Sequence, residues 1–198
     1  MKQPSLTLIT GGGRSGKSRL ALEKISPYAR KIFLATAVAT DSEMKLRIER
    51  HQKERGSDFI TVEEPVFLAR ALRENAPSGD AILVDCLTFW LNNLFHYFGE
   101  NDLKVSERIL RETEDFLKVL EERPAPLILV TNEINMGVIP PDPLSRLFMD
   151  ELGKLNQEAA RRADEVILMV AGIPQILKQE VTRFHGIVAA PDPRHRSA

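Results

Sequence analysis

This sequence predicts an α/β fold, a mostly parallel sheet flanked by helices, and three observations predict it. Short aliphatic and β-branched runs carry no helical period, amphipathic segments with three-and-four apolar spacing lie between them, and the two kinds alternate along the chain. Apolar runs of that length belong to strands covered on both faces. Strand and helix in alternation give parallel neighbours joined by right-handed crossovers.

In order, the predicted strands are residues 6–10, 31–36, 81–85, 127–131 and 165–170, with 59–62 a weaker sixth. Leu20, Ala21 and Ile25 mark a helix after the first strand. Residues 41–55 are predicted as a second helix, with Met44, Ile48, His51 and Arg55 on one face and Arg47 at its margin. Residues 103–121 are a third: Ile109, Phe116, Leu117 and Leu120 form its stripe, and Glu107/Arg111 and Glu114/Lys118 pair on its wet side. In the last, Leu144, Leu147, Phe148, Leu152, Leu155 and Ala159 recur as one buried stripe. Pro140, Pro141 and Pro143 punctuate the loop that opens it.

The 198 residues are 43% hydrophobic and 28% charged, and 27 Lys+Arg against 28 Asp+Glu leave a net charge of −1. That size supports one core, so residues 1–180 are predicted as a single catalytic domain and 181–198 as an extension with little to bury, mobile at its end. The neutral balance offers no field for a phosphate backbone, which argues against nucleic acid as a partner. The longest apolar stretch, 81–91, is interrupted by Asp85 and falls short of the roughly 20 residues of a membrane span. The few apolar residues before Gly11 are too short for a signal peptide. A single cysteine, Cys86, excludes an internal disulfide and suits a reducing compartment, the cytoplasm.

Gly11-Gly12-Gly13-Arg14-Ser15-Gly16-Lys17-Ser18 matches the phosphate-loop pattern G-x-x-x-x-G-K-[ST] between a strand and a helix, as that motif requires. Its glycines let successive backbone N–H groups face an anion at a helix N-terminus. Lys17 is predicted to reach the β- and γ-phosphates, and Ser18 to hold Mg²⁺ together with Asp85, which ends another core strand. The alternative for Asp85 is capping of the following helix. Cys86 is predicted as a small buried filler. The guanine-reading N-K-x-D pattern is absent, so base preference is not legible.

His51 shares a helix face with arginines, and a neutral imidazole is a competent nucleophile toward phosphorus. On periodicity alone a histidine on a charged surface helix is the commoner case. Thr131-Asn132-Glu133 lies at the carboxyl end of a strand, where open α/β sheets place ligands, with an Asx turn as the alternative.

Further blocks follow the phosphate loop: Ala35-Thr36; Asp41, Glu43, Met44, Arg47, Ile48 and His51; Thr131-Asn132-Glu133 to Gly137-Val138-Ile139-Pro140; Gly153, Asn156 and Gln157; Ala163-Asp164-Glu165-Val166; and Gly172-Ile173-Pro174. Together they resemble the adenosylcobinamide kinase/adenosylcobinamide-phosphate guanylyltransferase family of cobalamin biosynthesis. The resemblance implies a P-loop NTPase (RecA-like) fold and two reactions: phosphorylation of adenosylcobinamide by ATP or GTP, then transfer of GMP from GTP to that phosphate, releasing pyrophosphate. It places a transient GMP on His51, and nucleotide contacts on Gly11 to Ser18, on Ala35, Thr36 and Ala37, on Gln52, Lys53, Glu54 and Arg55, and on Glu63 and Asp85. It also implies a homo-oligomer, a trimer by precedent. Asn135 stands where the pattern has glycine and Met149 where it often has arginine, departures expected to alter loop shape and a phosphate or subunit contact. The competing readings are another P-loop small-molecule kinase without a covalent nucleotide, and a nucleotide-dependent switch or motor.

Overall fold

The computed structural model describes residues 4–39, 41–55, 58–99 and 105–179. In chain order its elements are β1 (Leu6–Gly11), α1 (Lys17–Ile25), β2 (Lys31–Ala35), α2 (Ser42–Arg55), β3 (Phe59–Glu63), α3 (Leu68–Asn75), β4 (Ala81–Asp85), α4 (Leu87–Phe98), α5 (Glu107–Glu122), β5 (Leu127–Val130), α6 (Pro143–Arg162), β6 (Glu165–Val170) and β7 (Ile173–Gln179). The strands form one sheet in the order β3-β2-β4-β5-β1-β6-β7. Pairings from β3 across to β6 are parallel, and β7 runs antiparallel to β6.

The alternation within each strand sorts the core into two layers. Leu6 and Leu8, Ile82 and Val84, and Leu127 and Leu129 point toward α3, α4, α5 and α6, where Trp90 and Phe116 meet at 4.9 Å between ring centroids. Ile9, Leu83, Ile128 and Val130 point the other way, onto Ala21 and Ile25 of α1. Both faces are therefore covered, which is why these runs show no polar alternation.

All six predicted strands are present, and three elements are additional. β7 contains Pro174, which argues against an interior strand but is tolerated on a sheet edge, where its missing N–H faces no neighbour. The turn before it, Ala171-Gly172, has φ of 50° and 82°, the left-handed pair that closes tight hairpins. α4 follows β4 after one residue, so the run 81–91 fuses strand and helix and hides the helical period. α3 is short, at eight residues. α5 begins at Glu107, later than predicted, because Ser106 caps it by accepting the Ile109 amide at 3.4 Å. Predicted positions 103 and 104, and the extension 181–198, lie outside the described residues.

One predicted core position is corrected. Leu144 is 55% exposed. α6 has 20 residues, about 30 Å, whereas the strands it covers have four to six, about 13–20 Å. Its first turns overhang the carboxyl edge of the sheet, and burial begins at Leu152. At the opposite edge Arg123 donates to Asp164 at 2.7 and 2.8 Å and to the carbonyls of Pro4 and Arg162, while Asp164 accepts the Leu6 amide at 2.8 Å. That cluster fixes where β1 and β6 begin. Among the described residues no helix is long and apolar enough to cross a membrane.

Candidate active site

The phosphate loop leaves β1 at Gly11 and enters α1 at Lys17. Gly11 has φ 144°, and a Cβ there would lie 2.4 Å from the Met169 carbonyl oxygen of β6, so only glycine fits. Gly16 at φ 96° and Arg14 at φ 56° complete the curl. The β6–β7 turn braces it from outside, with the Gly172 amide donating to the Ser15 carbonyl at 3.0 Å. Inside the loop the Ser15 hydroxyl is buried without a hydrogen-bond partner, a donor suited to an anion. Lys17 is 6% exposed, and its ammonium donates to the carbonyls of Gly11 at 2.9 Å and Gly12 at 2.6 Å. A buried cation is thus held within the cradle where phosphate oxygens would lie.

The ends of β2, β3 and β4 line up beside it. Asp85 of β4 stands in register with Ala35 of β2, and Ala35 with Glu63 of β3. The N-cap position of α4 is held by Cys86, the residue after Asp85. α1 packs against β4 and β5, which puts Ser18, in its first turn, on the side where Asp85 ends its strand. Mg²⁺ retains waters and takes one or two carboxylates together with substrate phosphates, so Ser18 and Asp85 are a sufficient protein share.

Thr36, completely buried, accepts the Cys86 amide at 2.8 Å and donates to the Cys86 carbonyl at 2.7 Å. Its own amide donates to the Asp85 carbonyl, and its carbonyl accepts Asn93 Nδ2 at 2.7 Å. All its polar atoms face the protein, and within this segment the half-buried Ala35 and Ala37 are the residues open to a ligand. Cys86 is buried as predicted. Burial first, then the charge of Asp85, pushes its thiol up to about 12, against the amides of Phe89 and Thr88 and the charge of Lys17. It is no nucleophile at neutral pH.

α2 follows β2 and carries the histidine. Met44 and Ile48 are half-buried while Leu46 is 62% exposed. The side chains of Arg47, His51, Lys53, Glu54 and Arg55 lie outside the described residues, and Gln52 is exposed.

Thr131, Asn132 and Glu133 continue β5 at the same edge. The Thr131 hydroxyl donates to Asn156 Oδ1 at 2.7 Å, Asn156 Nδ2 donates to the Asn132 carbonyl at 3.0 Å, and the Asn132 amide donates to the Thr88 hydroxyl at 2.8 Å. The Glu133 amide then donates to the Gly11 carbonyl at 3.0 Å. α6 and α4 thereby fix this segment against the phosphate loop. Residue spacing gave no signal for Thr88, Asn93 or Met169, because each acts by tertiary contact. The two departures meet: Asn135 Nδ2 donates to the Met149 carbonyl at 3.3 Å and sits 2.7 Å from where a Gly153 Cβ would be.

A family model described as cobinamide kinase / cobinamide phosphate guanyltransferase matches residues 7–177. The bifunctional adenosylcobalamin biosynthesis protein CobP of Pseudomonas aeruginosa (strain PAO1) is 44% identical over 174 residues, covering 87% of this chain and 97% of the relative. The bifunctional adenosylcobalamin biosynthesis protein CobU of Escherichia coli (strain K12) is 35% identical over 175 residues, 85% and 97% of the two chains. Among solved structures, an ATPase from the type III secretion system of pathogenic bacteria superposes with a TM-score of 0.53 at 13% identity over 85% of this chain and 51% of that one, a likeness of fold alone. With the phosphate loop and the adjoining strand ends inside the matched span, the chain belongs to the cobinamide kinase / cobinamide phosphate guanyltransferase family and is a bifunctional enzyme of that kind.

Proposed function

We propose that the chain phosphorylates adenosylcobinamide with a nucleoside triphosphate, ATP or GTP, and then moves GMP from GTP to adenosylcobinamide phosphate through a guanylyl group carried on His51. The observation that carries the reading is the row of Lys17, Ser15, Ser18, Asp85, Ala35 and Glu63 along one sheet edge. In the first reaction the acceptor oxygen bonds to the γ-phosphorus, and the bridging oxygen leaves with the nucleoside diphosphate. In the second, an imidazole nitrogen of His51 bonds to the α-phosphorus and pyrophosphate departs. A phosphate oxygen of adenosylcobinamide phosphate then attacks that phosphorus and frees the histidine, giving adenosylcobinamide-GDP.

Both reactions build negative charge at the same phosphates. Lys17, buried and already bonded to loop carbonyls, is preorganised to meet it. Ser18 and Asp85 would hold Mg²⁺, which when bound neutralises the phosphate oxygens. Glu63, on the outer strand β3, is far enough along the edge to meet the nucleoside end. We further assign the chain to the cytoplasm and to a homotrimer by resemblance; the exposed edge of β7, with Ile173, Ile176 and Leu177, supplies apolar surface for assembly.

GTP labelled at the α- or the γ-phosphate tests the covalent step. Protein label retained only from the α-position, labile to acid and stable to alkali, is the expected phosphoramidate. No retained α-label would leave a kinase without the histidine intermediate.

A further inference from the structure

Three carboxylates end strands along the described part of the carboxyl edge: Glu63 on β3, Asp85 on β4, and Glu133 just beyond β5. Strand order decides which can serve the kinase step. Counting from β1, which delivers the phosphate loop, β5 is one strand away, β4 two and β3 four. At about 4.8 Å per strand these are about 5, 10 and 19 Å. Glu63 is too distant, and Asp85 belongs with Ser18. Glu133 remains, and its placement is fixed independently. Bonds of 3.0 and 2.9 Å to one oxygen, the Gly11 carbonyl, put the Glu133 amide and the Lys17 ammonium at most about 6 Å apart.

A second observation points to what the segment faces. Beyond Glu133 the chain forms a loop tied to α6 at both ends, by Asn135 to the Met149 carbonyl and by Arg146 Nη1 to the carbonyls of Pro140 at 3.0 Å and Pro141 at 2.6 Å. Between those ties Met136, Val138 and Ile139 are 77%, 94% and 72% exposed. An anchored loop that displays three large apolar side chains beside a phosphate site marks a surface made for a partner. The acceptor named by the family is a macrocycle with broad apolar faces and a hydroxyl-bearing arm, which matches an apolar loop adjoining a carboxylate.

Resting on the kinase reading above, we propose that Glu133 is the general base of the phosphorylation step and that residues 136–139 seat the macrocycle of the acceptor. The hydroxyl proton of the acceptor passes to a Glu133 carboxylate oxygen as its oxygen bonds to the γ-phosphorus, and the bond to the bridging oxygen breaks with its electron pair going to the nucleoside diphosphate. One Glu133 oxygen accepts the Asn135 amide at 3.1 Å, which aims the group. The guanylyl transfer has no hydroxyl to deprotonate, since its acceptor is already a phosphate.

Glu133→Gln separates the roles. Glutamine keeps an oxygen for the Asn135 amide and loses only the capacity to take a proton. Expected are a fall in kinase kcat of at least 100-fold with loss of the acid limb of its pH profile, and guanylyl transfer to pre-made adenosylcobinamide phosphate within about 3-fold of wild type. Glu133→Asp, a shortened base, restores the limb at reduced rate. Val138→Ser with Ile139→Ser raises KM for cobinamide at least 10-fold and leaves the nucleotide KM unchanged. A Glu133→Gln enzyme with unaltered kinase pH profile, or a loop variant whose cobinamide KM does not move, overturns the inference. A wild-type protein that does not phosphorylate cobinamide at all would instead overturn the reading beneath it. Light scattering on the loop variant adds a control: dissociation into smaller species with KM intact assigns the loop to subunit contact and contradicts the proposal.

Discussion

The amide of Glu133 and the ammonium of Lys17 converge on one oxygen, the carbonyl of Gly11. The strand that carries the phosphate loop and its neighbour β5 are joined there beyond their ladder, which ends at Ile9 and Val130. Lys17 therefore sits at the junction of the phosphate cradle and the segment that Asn156 and Thr88 hold from behind.

Lys17→Ala is expected to lower both reactions by at least 100-fold, since each develops charge on phosphates that this ammonium meets. Separate assays of phosphorylation and guanylyl transfer check it. Near-normal turnover in either would separate the two sites.

Asp85→Asn exchanges a carboxylate for a neutral amide of similar size. The expected outcome is at least a 10-fold higher Mg²⁺ concentration for half-maximal kinase rate, with an unchanged melting temperature. A metal titration that superposes on wild type would remove Asp85 from that role.

Thr36→Val deletes the hydroxyl that both accepts from and donates to Cys86. The Cys86 amide loses its partner while the Cys86 carbonyl keeps the Trp90 amide at 3.1 Å, so urea denaturation should show a loss of about 1–3 kcal/mol. A loss below 0.5 kcal/mol would mean water replaces the hydroxyl.

Cys86 gives the chain a pH signature. Its thiol ionises near 9 ordinarily and near 12 when folded, so between those values the folded protein keeps a proton that the unfolded chain loses. Stability then falls as pH rises, by up to about 1.4 kcal/mol per pH unit, and is unaffected by this group below about pH 9. Denaturation at pH 8, 9.5 and 10.5 should show a steeper decline for wild type than for Cys86→Ala. Parallel declines would contradict the assignment.

The parts legible in the sequence are those whose signal is local. β1, β4 and β5 are continuous apolar runs, and the phosphate loop declares itself through glycines that the backbone requires: Gly11 cannot carry a Cβ against Met169. What escaped is written between distant residues. α4 is masked because its first apolar residue follows β4 after Cys86 alone, β7 because Pro174 reads as a breaker until its place at the sheet edge is known. Thr36 lies in a segment to which the resemblance assigns nucleotide contacts, and that its hydroxyl bonds a residue 50 positions away has no local signal. Asn135 and Met149 look like two distant departures, and the Asn135 amide bonds the backbone carbonyl of Met149, a neighbourhood that sequence separation hides.

A shared phosphate site with a histidine relay for the second reaction has its sharpest consequence in His51→Ala, with both products followed. The variant should still phosphorylate adenosylcobinamide, accumulate the phosphate, form no adenosylcobinamide-GDP and take no label from α-labelled GTP. Adenosylcobinamide-GDP formed at the wild-type rate would contradict the covalent role of His51, and loss of both activities in a folded variant would contradict the division of labour.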